Sequence, residues 1–248
     1  LKNDYTLTNF LNGKVRFYQK SDGFRFGTDS FLLADFVSLK GSETFADLGT
    51  GCGVIAILLL KKYPKAKGIG IDIVKENSKI AVKNAKLNGV SERFLSINAN
   101  VREIFSFLKP ERVEVVVMNP PFIEVDKGKI SKVPERAIAR QEITATLEDF
   151  IKASRYLLKN KGRLFVLLPL QRFVDFVVLS RSYSIEPKRL RFVYPSFGKN
   201  ANLFLAEAVK NGGKGLTVEP PLVVYQDPYK KIYTEEVALK YERFLQDD

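Results

Sequence analysis

Phe45-Ala46-Asp47-Leu48-Gly49-Thr50-Gly51-Cys52-Gly53-Val54-Ile55-Ala56-Ile57 is the stretch whose reading decides the fold. A short apolar run ends at Leu48, three glycines follow at alternate positions, and an apolar helical stretch begins at Val54. This is the pattern of a buried strand, a tight turn and a helix in succession. Glycines at such a junction let the backbone come close to a ligand, and the helix N-terminus beyond them offers free N–H groups.

The same alternation extends outward. The first helix runs from about Val54 to Lys62 and stops before Pro64; Gly68-Ile69-Gly70-Ile71-Asp72 reads as the next strand. A helix from about Lys75 to Asn88 turns Ile80, Ala81, Ala85 and Leu87 inward, with Gly89 as its C-terminal stop. Phe94–Ile97 and Val113–Met118 make two more strands. Leu147, Phe150, Ile151, Ser154, Leu157 and Leu158 recur at helical spacing, which sets a long helix ahead of a strand at Arg163–Leu168. Strands alternating with amphipathic helices predict an α/β fold with a mostly parallel sheet and helices on both faces.

Beyond Pro169 the alternation weakens. A helix near Phe173–Ser180 leads to Leu190–Tyr194 and Leu203–Val209, close enough for a hairpin at one sheet edge. Gly212-Gly213-Lys214-Gly215 marks a flexible turn, and the tail with Pro220-Pro221 shows little periodicity. No repeat and no long linker divides the chain. The expectation is a single domain over 1–248: an N-terminal extension to residue 40, a core over 41–210 and a tail over 211–248.

Composition narrows the partners. With 45% apolar and 27% charged residues the chain reads as an ordinary soluble globular protein. No apolar run approaches the roughly 20 residues of a membrane span, and Leu1-Lys2-Asn3-Asp4-Tyr5 lacks the apolar block of a secretory signal. A single cysteine excludes an intrachain disulfide and a thiolate zinc site, so a cytoplasmic protein without metal is expected. A net charge of +12 favours polyanionic partners, or else describes a lysine-rich solvated surface. There is no histidine, so acid–base chemistry uses other groups or is unnecessary.

Two acidic residues and one short motif carry chemistry. Asp72 ends its strand about 20 residues after the glycine turn, where a carboxylate can accept both hydroxyls of a ribose. The glycine spacing is G-x-G-x-G, not the G-x-G-x-x-G that cradles a pyrophosphate. Asp47 precedes the turn, and a pyrophosphate would be repelled there while an amino acid's ammonium would be attracted. After the strand Val113–Met118 comes Asn119-Pro120-Pro121-Phe122. Two prolines cannot continue a ladder. What remains is an amide side chain, a free proline carbonyl and an aromatic face, a set that can hold a flat amine-bearing ring.

Asp47–Gly53, Asp72 and Asn119–Phe122, in this order and on this alternation, resemble the class I S-adenosylmethionine-dependent methyltransferases that methylate amines. Gln19 and Gly23-Phe24-Arg25-Phe26-Gly27-Thr28-Asp29-Ser30-Phe31-Leu32-Leu33-Ala34 resemble the opening motif of the bacterial tRNA1(Val) adenine N6-methyltransferase family. So do Ala139–Ile143, Leu147–Asp149, Pro187–Val193, Gly198–Leu203, Gly215-Leu216 and Pro220–Leu222, and the likeness covers nearly the whole chain. It implies a Rossmann-like, mostly parallel seven-stranded sheet with an antiparallel edge strand. It also implies S-adenosylmethionine as cofactor and tRNA as partner; a monomer is expected.

By that resemblance Gln19, Phe26, Thr28, Asp47, Gly49, Thr50, Gly51, Asp72, Ile73, Asn100 and Asn119 hold the cofactor. Asn100 stands where the family commonly has Asp, and Gln141 and Tyr194 stand where it has histidines. Asn119, Pro120, Pro121 and Phe122 form the catalytic group: acceptors for the two N6 hydrogens of an adenine, and a ring to stack on it. An adenine N6 lone pair is delocalised and needs acceptors and alignment rather than a base.

Arg25, Lys127, Lys129, Arg136, Arg140, Arg189 and Lys199 either grip RNA phosphates or belong to solvated, charged segments. The resemblance implies, as the expected reaction, methylation of adenine N6 in tRNA, next to the anticodon of tRNA(Val). Competing readings are a protein-glutamine N-methyltransferase, an rRNA guanine-N2 methyltransferase, and a cofactor-binding RNA module without turnover.

Overall fold

A computed structural model of the 248-residue chain describes residues 5–20, 27–119 and 145–246. A hairpin, β1 (Tyr5–Phe10) and β2 (Val15–Lys20), precedes α1 (Thr28–Phe36). The expected alternation follows as β3 (Thr44–Leu48), α2 (Val54–Lys62), β4 (Lys67–Asp72), α3 (Lys75–Leu87) and β5 (Phe94–Asn98). Next come α4 (Ile104–Phe107), β6 (Val113–Met118), α5 (Leu147–Leu157), β7 (Leu158–Pro169), α6 (Phe173–Ser182), β8 (Ile185–Ser196) and β9 (Leu203–Lys210). The tail carries β10 (Thr217–Val218), β11 (Leu222–Asp227), β12 (Ile232–Tyr233) and α7 (Glu235–Arg243).

The main sheet has the order β12-β11-β8-β9-β7-β6-β3-β4-β5, with β10 on β8. Strands β5, β4, β3, β6 and β7 are parallel. β9 runs antiparallel inside the sheet, between β7 and β8, and the edge strand β12 is antiparallel to β11. Because β8 is antiparallel to β9 and β11 is parallel to β8, both regain the direction of the central strands. The seven expected strands are present, and the tail extends them.

Burial explains the central strands. Val115, Val116, Val117 and Met118 are all 0% exposed, so β6 is covered on both faces, as parallel strands require. Val115 and Val117 join the core cluster formed with α1 and α2, while Val116 and Met118 join the one formed with α5 and α6. Helix α5 starts with a reciprocal cap, in which the Asp149 N–H donates to Thr146 Oγ1 and the Thr146 N–H to Asp149 Oδ2.

Residues 5–20, expected as part of an extension, form a hairpin held by α3. Asn84 Oδ1 accepts from the Tyr18 N–H at 2.7 Å and its Nδ2 donates to Tyr18 O at 3.0 Å. One turn later Asn88 repeats the exchange with the N–H and carbonyl of Arg16. Two amides four residues apart on a helix thus pair with alternate residues of β2 as another strand would. The hairpin also reaches α7, since the Phe10 ring meets the Phe31 and Tyr241 rings edge-on at 6.0 and 5.5 Å.

Candidate active site

Four parallel strands end side by side. Asn98 pairs with Asp72, Ile71 with Leu48, and Leu48 with Met118. Asn98, Asp72, Gly49 and Asn119 therefore stand in a row on the carboxyl edge, about 5 Å from neighbour to neighbour. The chain order reverses between β3 and β6, and open α/β sheets bind ligands in the crevice such a reversal leaves.

The glycine turn is folded back over the end of β4. The N–H groups of Gly49 and Thr50 both donate to Ile71 O, at 2.8 and 3.0 Å. Gly51 has φ 56°, and a Cβ built there would meet no atom within 4 Å among the described residues, so the turn faces open space at this point. Gly53 has φ 84° and opens α2; a Cβ there would lie 3.2 Å from Ala81 Cβ on α3. Only glycine satisfies both the left-handed backbone and the close helix approach.

Asp47 lies beneath the turn and is 1% exposed. Its Oδ2 accepts from Thr50 Oγ1 at 2.7 Å, and its Oδ1 is buried without a hydrogen-bond partner among the described residues. Burial pushes the carboxyl up to about 7, with the Asp72 charge adding to the rise and the Thr50 hydroxyl and Ala56 N–H opposing it. Asp72 accepts from the Gly51 N–H at 2.8 Å through Oδ2, and from the Val74 N–H and Asn77 Nδ2 at 2.9 and 3.1 Å through Oδ1. Burial raises its pKa too, against these three donors. Cys52, in the same turn, has its thiol pushed up to about 12 by burial and is held protonated at neutral pH.

Other expected residues fall into place around this row. Ile73 is 37% exposed, and its carbonyl accepts from Asn98 Nδ2 at 2.8 Å. The Asn100 side chain follows β5 and accepts from the Arg102 N–H at 3.1 Å, capping a short 3₁₀ turn. A second lone pair on that oxygen is still open to a ligand. Gln19 is 3% exposed on β2 and donates to Thr8 Oγ1.

Thr28 opens α1, where its Oγ1 lies 3.0 Å from Tyr233 Oη and 3.3 Å from Tyr225 Oη. It is thereby joined to the tail rather than to the strand-end row. Arg25, Phe26, Pro120, Pro121, Phe122, Lys127, Lys129, Arg136 and Arg140 lie outside the described residues.

The two other basic residues differ. Lys199 is exposed in the β8–β9 turn. Arg189 is engaged inside the fold: it donates to Glu207 at 2.9 Å, to Glu219 at 3.0 Å and to Phe36 O at 2.9 Å, and lies 3.9 Å from the Phe36 ring centre. Nε, Nη1 and Nη2 of its guanidinium each have a protein partner, so the residue ties β8 to β9, to the tail and to α1.

Sequence reasoning missed Asn84. It is fully buried and joins the Cys52 carbonyl of the glycine turn, through Nδ2 at 2.9 Å, to the hairpin. The signal was a polar residue one position before the inward Ala85.

Two surface clefts, of about 530 and 620 Å³, lie beside α7 and have none of the strand-end residues in their walls. The row of strand ends and the glycine turn thus rests on residue chemistry, not on cavity size. Residues 22–175 match the methyltransferase small domain family. The chain belongs to that family.

Relatives and solved structures agree with this placement. The methyltransferase is 29% identical over 189 residues to the tRNA1(Val) (adenine(37)-N6)-methyltransferase of Porphyromonas gingivalis, covering 74% of this chain and 73% of that one. Against the protein of the same name from Vibrio campbellii it is 27% identical, over 88% of this chain and 90% of the other. A release factor glutamine methyltransferase of Agrobacterium fabrum is 44% identical over 94 residues, or 38% of this chain and 31% of that protein.

Among solved structures, a predicted O-methyltransferase of Agrobacterium tumefaciens superposes with a TM-score of 0.71 at 21% identity, over 88% of this chain and 96% of that one. The 16S rRNA N2 G1207 methyltransferase of Thermus thermophilus, in complex with AdoMet and guanosine, gives 0.57 at 17% identity, over 83% and 50%. At these identities the likeness is one of fold, and that fold is the class I methyltransferase fold. No helix among the described residues is long and apolar enough to cross a membrane.

Proposed function

We propose that this methyltransferase transfers a methyl group from S-adenosylmethionine to the exocyclic N6 of an adenine in tRNA. The observation that carries the reading is the row of strand ends, which sets Asn119 about one strand spacing from the glycine turn held between Asp47 and Asp72.

The residues present fit the cofactor. Asp47 Oδ1 is a buried acceptor without a hydrogen-bond partner among the described residues, which suits an amino acid's ammonium. The open side of Gly51 and the carboxylate of Asp72 suit a ribose. Two carboxylates at the turn disfavour a dinucleotide's pyrophosphate. Asn100 and Ile73 lie beyond Asp72, where a base would extend. When bound, S-adenosylmethionine supplies an electrophilic methyl on a sulfonium.

The chain's own residues supply acceptors and alignment. Asn119 Oδ1 and the adjacent Pro120 carbonyl accept the two N6 hydrogens and stabilise the positive charge that grows on the amine. Phe122 stacks on the base and fixes its direction. The proton is lost after transfer, so a chain without histidine needs no dedicated base.

Support for tRNA as the substrate comes from relatives of that name spanning 88% of the chain, and from the net charge of +12. The same names point to adenine 37 of tRNA1(Val). The test is incubation of total tRNA with labelled S-adenosylmethionine, then nucleoside mass spectrometry. N6-methyladenosine is expected, and its absence would overturn the reading.

A second reading, methylation of a protein glutamine, is favoured by the 44% identity to the glutamine methyltransferase. That match covers 38% of the chain, so it fits a shared cofactor core. Labelling of a release factor with no labelling of tRNA would establish it instead.

A further inference from the structure

We propose that two neighbouring hairpin tips, Phe197–Lys199 and Tyr229–Lys231, form a platform on which unpaired bases of the RNA substrate stack. The proposal rests on the reading of RNA as substrate and adds where and how that RNA is gripped.

Topology brings the tips together. β8 and β11 run in the direction of the central strands, so their carboxyl ends lie on the edge that carries Asn119 and Asp72. Ser196, which ends β8, pairs with Tyr225, and β11 continues to Asp227, so the two turns leave adjacent strands within two residues of one another. From β6 the order is β7, β9, β8, β11. Four strand spacings set the platform about 20 Å along the edge from Asn119. One folded RNA lying on this edge can reach both.

The side chains are those of a stacking site. Phe197 is 69% exposed and Tyr229 is 95% exposed. Neither is needed to form its turn. The β8–β9 turn is closed by backbone bonds, from the Lys199 N–H to Ser196 O and from the Asn202 N–H to Val193 O. The β11–β12 turn is closed by Asp227 Oδ1, which accepts from the Tyr229 and Lys230 N–H groups.

Lys199, Lys230 and Lys231 are exposed, and among the described residues none has an acidic partner. A single exposed aromatic needs no explanation. Two on adjacent tips, each beside unpaired lysines on the working edge, match the combination by which proteins hold single-stranded nucleic acid. There, rings take base faces and cations take phosphates.

The experiment measures binding of end-labelled total tRNA to the full chain and to Phe197→Ala, Tyr229→Ala, the double variant, Tyr229→Phe and Lys230→Gln, across a salt series. Each alanine variant should weaken binding about five- to a hundredfold at fixed salt, with the thermal midpoint and the salt slope unchanged. Tyr229→Phe should bind as the parent does. Lys230→Gln should reduce the salt slope by about one ion.

If the parent methylates and binds tRNA while both alanine variants bind it equally well, the platform is wrong and the RNA reading stands. If the parent neither binds nor methylates tRNA, the RNA reading fails and the platform falls with it. Alanine variants that keep tRNA binding but lose methylation of a release factor would assign the tips to a protein partner and overturn the proposal.

Discussion

The Gly51 N–H donates to Asp72 Oδ2 across 2.8 Å, so the turn after β3 is fixed by the carboxylate that ends β4. One side chain thereby sets the shape of the loop and offers its remaining lone pairs outward. Asp72→Ala should lower affinity for S-adenosylmethionine about ten- to a hundredfold, the worth of hydrogen bonds to a charged acceptor. Titration calorimetry with the demethylated cofactor checks this. Unchanged affinity would remove Asp72 from the site.

Asn119→Ala leaves the glycine turn and both aspartates in place. Methyl transfer should fall about 10²–10³-fold in kcat, the effect of removing one preorganised polar group, while the cofactor Kd stays within about threefold. Steady-state kinetics on total tRNA, paired with a cofactor titration, separates the two. Activity near the parent's would mean that the amine is held elsewhere.

Asp47 titrates near 7 in the folded chain and near 4 when unfolded, because burial disfavours its charge. The native state therefore holds an extra proton between those values, and this group's contribution to stability declines as pH rises from about 4 to 7. A ligand ammonium binds the ionised form. Affinity for the cofactor should then rise up to about tenfold per pH unit below pH 7 and level off above it, with a proton released on binding at pH 6. Calorimetry in buffers of different ionisation heat measures that proton, and Asp47→Asn should abolish its release.

Arg189 joins Glu207, Glu219, the Phe36 carbonyl and the Phe36 ring. Its replacement by alanine leaves two partly buried carboxylates unpaired. The cost should be about 2–4 kcal/mol in urea unfolding, with tRNA affinity within about twofold of the parent. A large loss of tRNA affinity at unchanged stability would instead assign Arg189 to RNA binding.

The central fold was legible because burial on both faces writes itself as short, mostly apolar runs. Phe45–Leu48 and Val113–Met118 are such runs, and their ends placed Asp47, Asp72 and Asn119 on one edge. The N-terminal hairpin was legible in principle. Leu11-Asn12-Gly13 adopts φ 49, 55 and 82°, and an Asn-Gly pair between Phe10 and Val15 is a strong hairpin signal.

Strand β8 starts at Ile185, earlier than its apolar run, because Pro187 and Arg189 sit at a bulge where polarity hides the strand. β11 was concealed behind Pro220-Pro221. The role of Arg189 could not be read locally, since its partners lie 18 and 30 residues away and charge alone does not show pairing. The same holds for Thr28, whose tyrosine partners are 197 and 205 residues distant.

The contact between the Phe10 and Tyr241 rings has a consequence for biosynthesis. A two-stranded hairpin is marginal alone in water, and the partners of this one arrive late. Asn84 and Asn88 emerge first, and Tyr241 follows 231 residues after Phe10. At about 5–20 residues per second, roughly 10–45 s separate the two rings on the ribosome. For that interval Phe10, Val15 and Phe17 lack their full cover. The nascent hairpin thus exposes, for that interval, apolar side chains that are wholly buried in the finished molecule, Val15 and Phe17 among them.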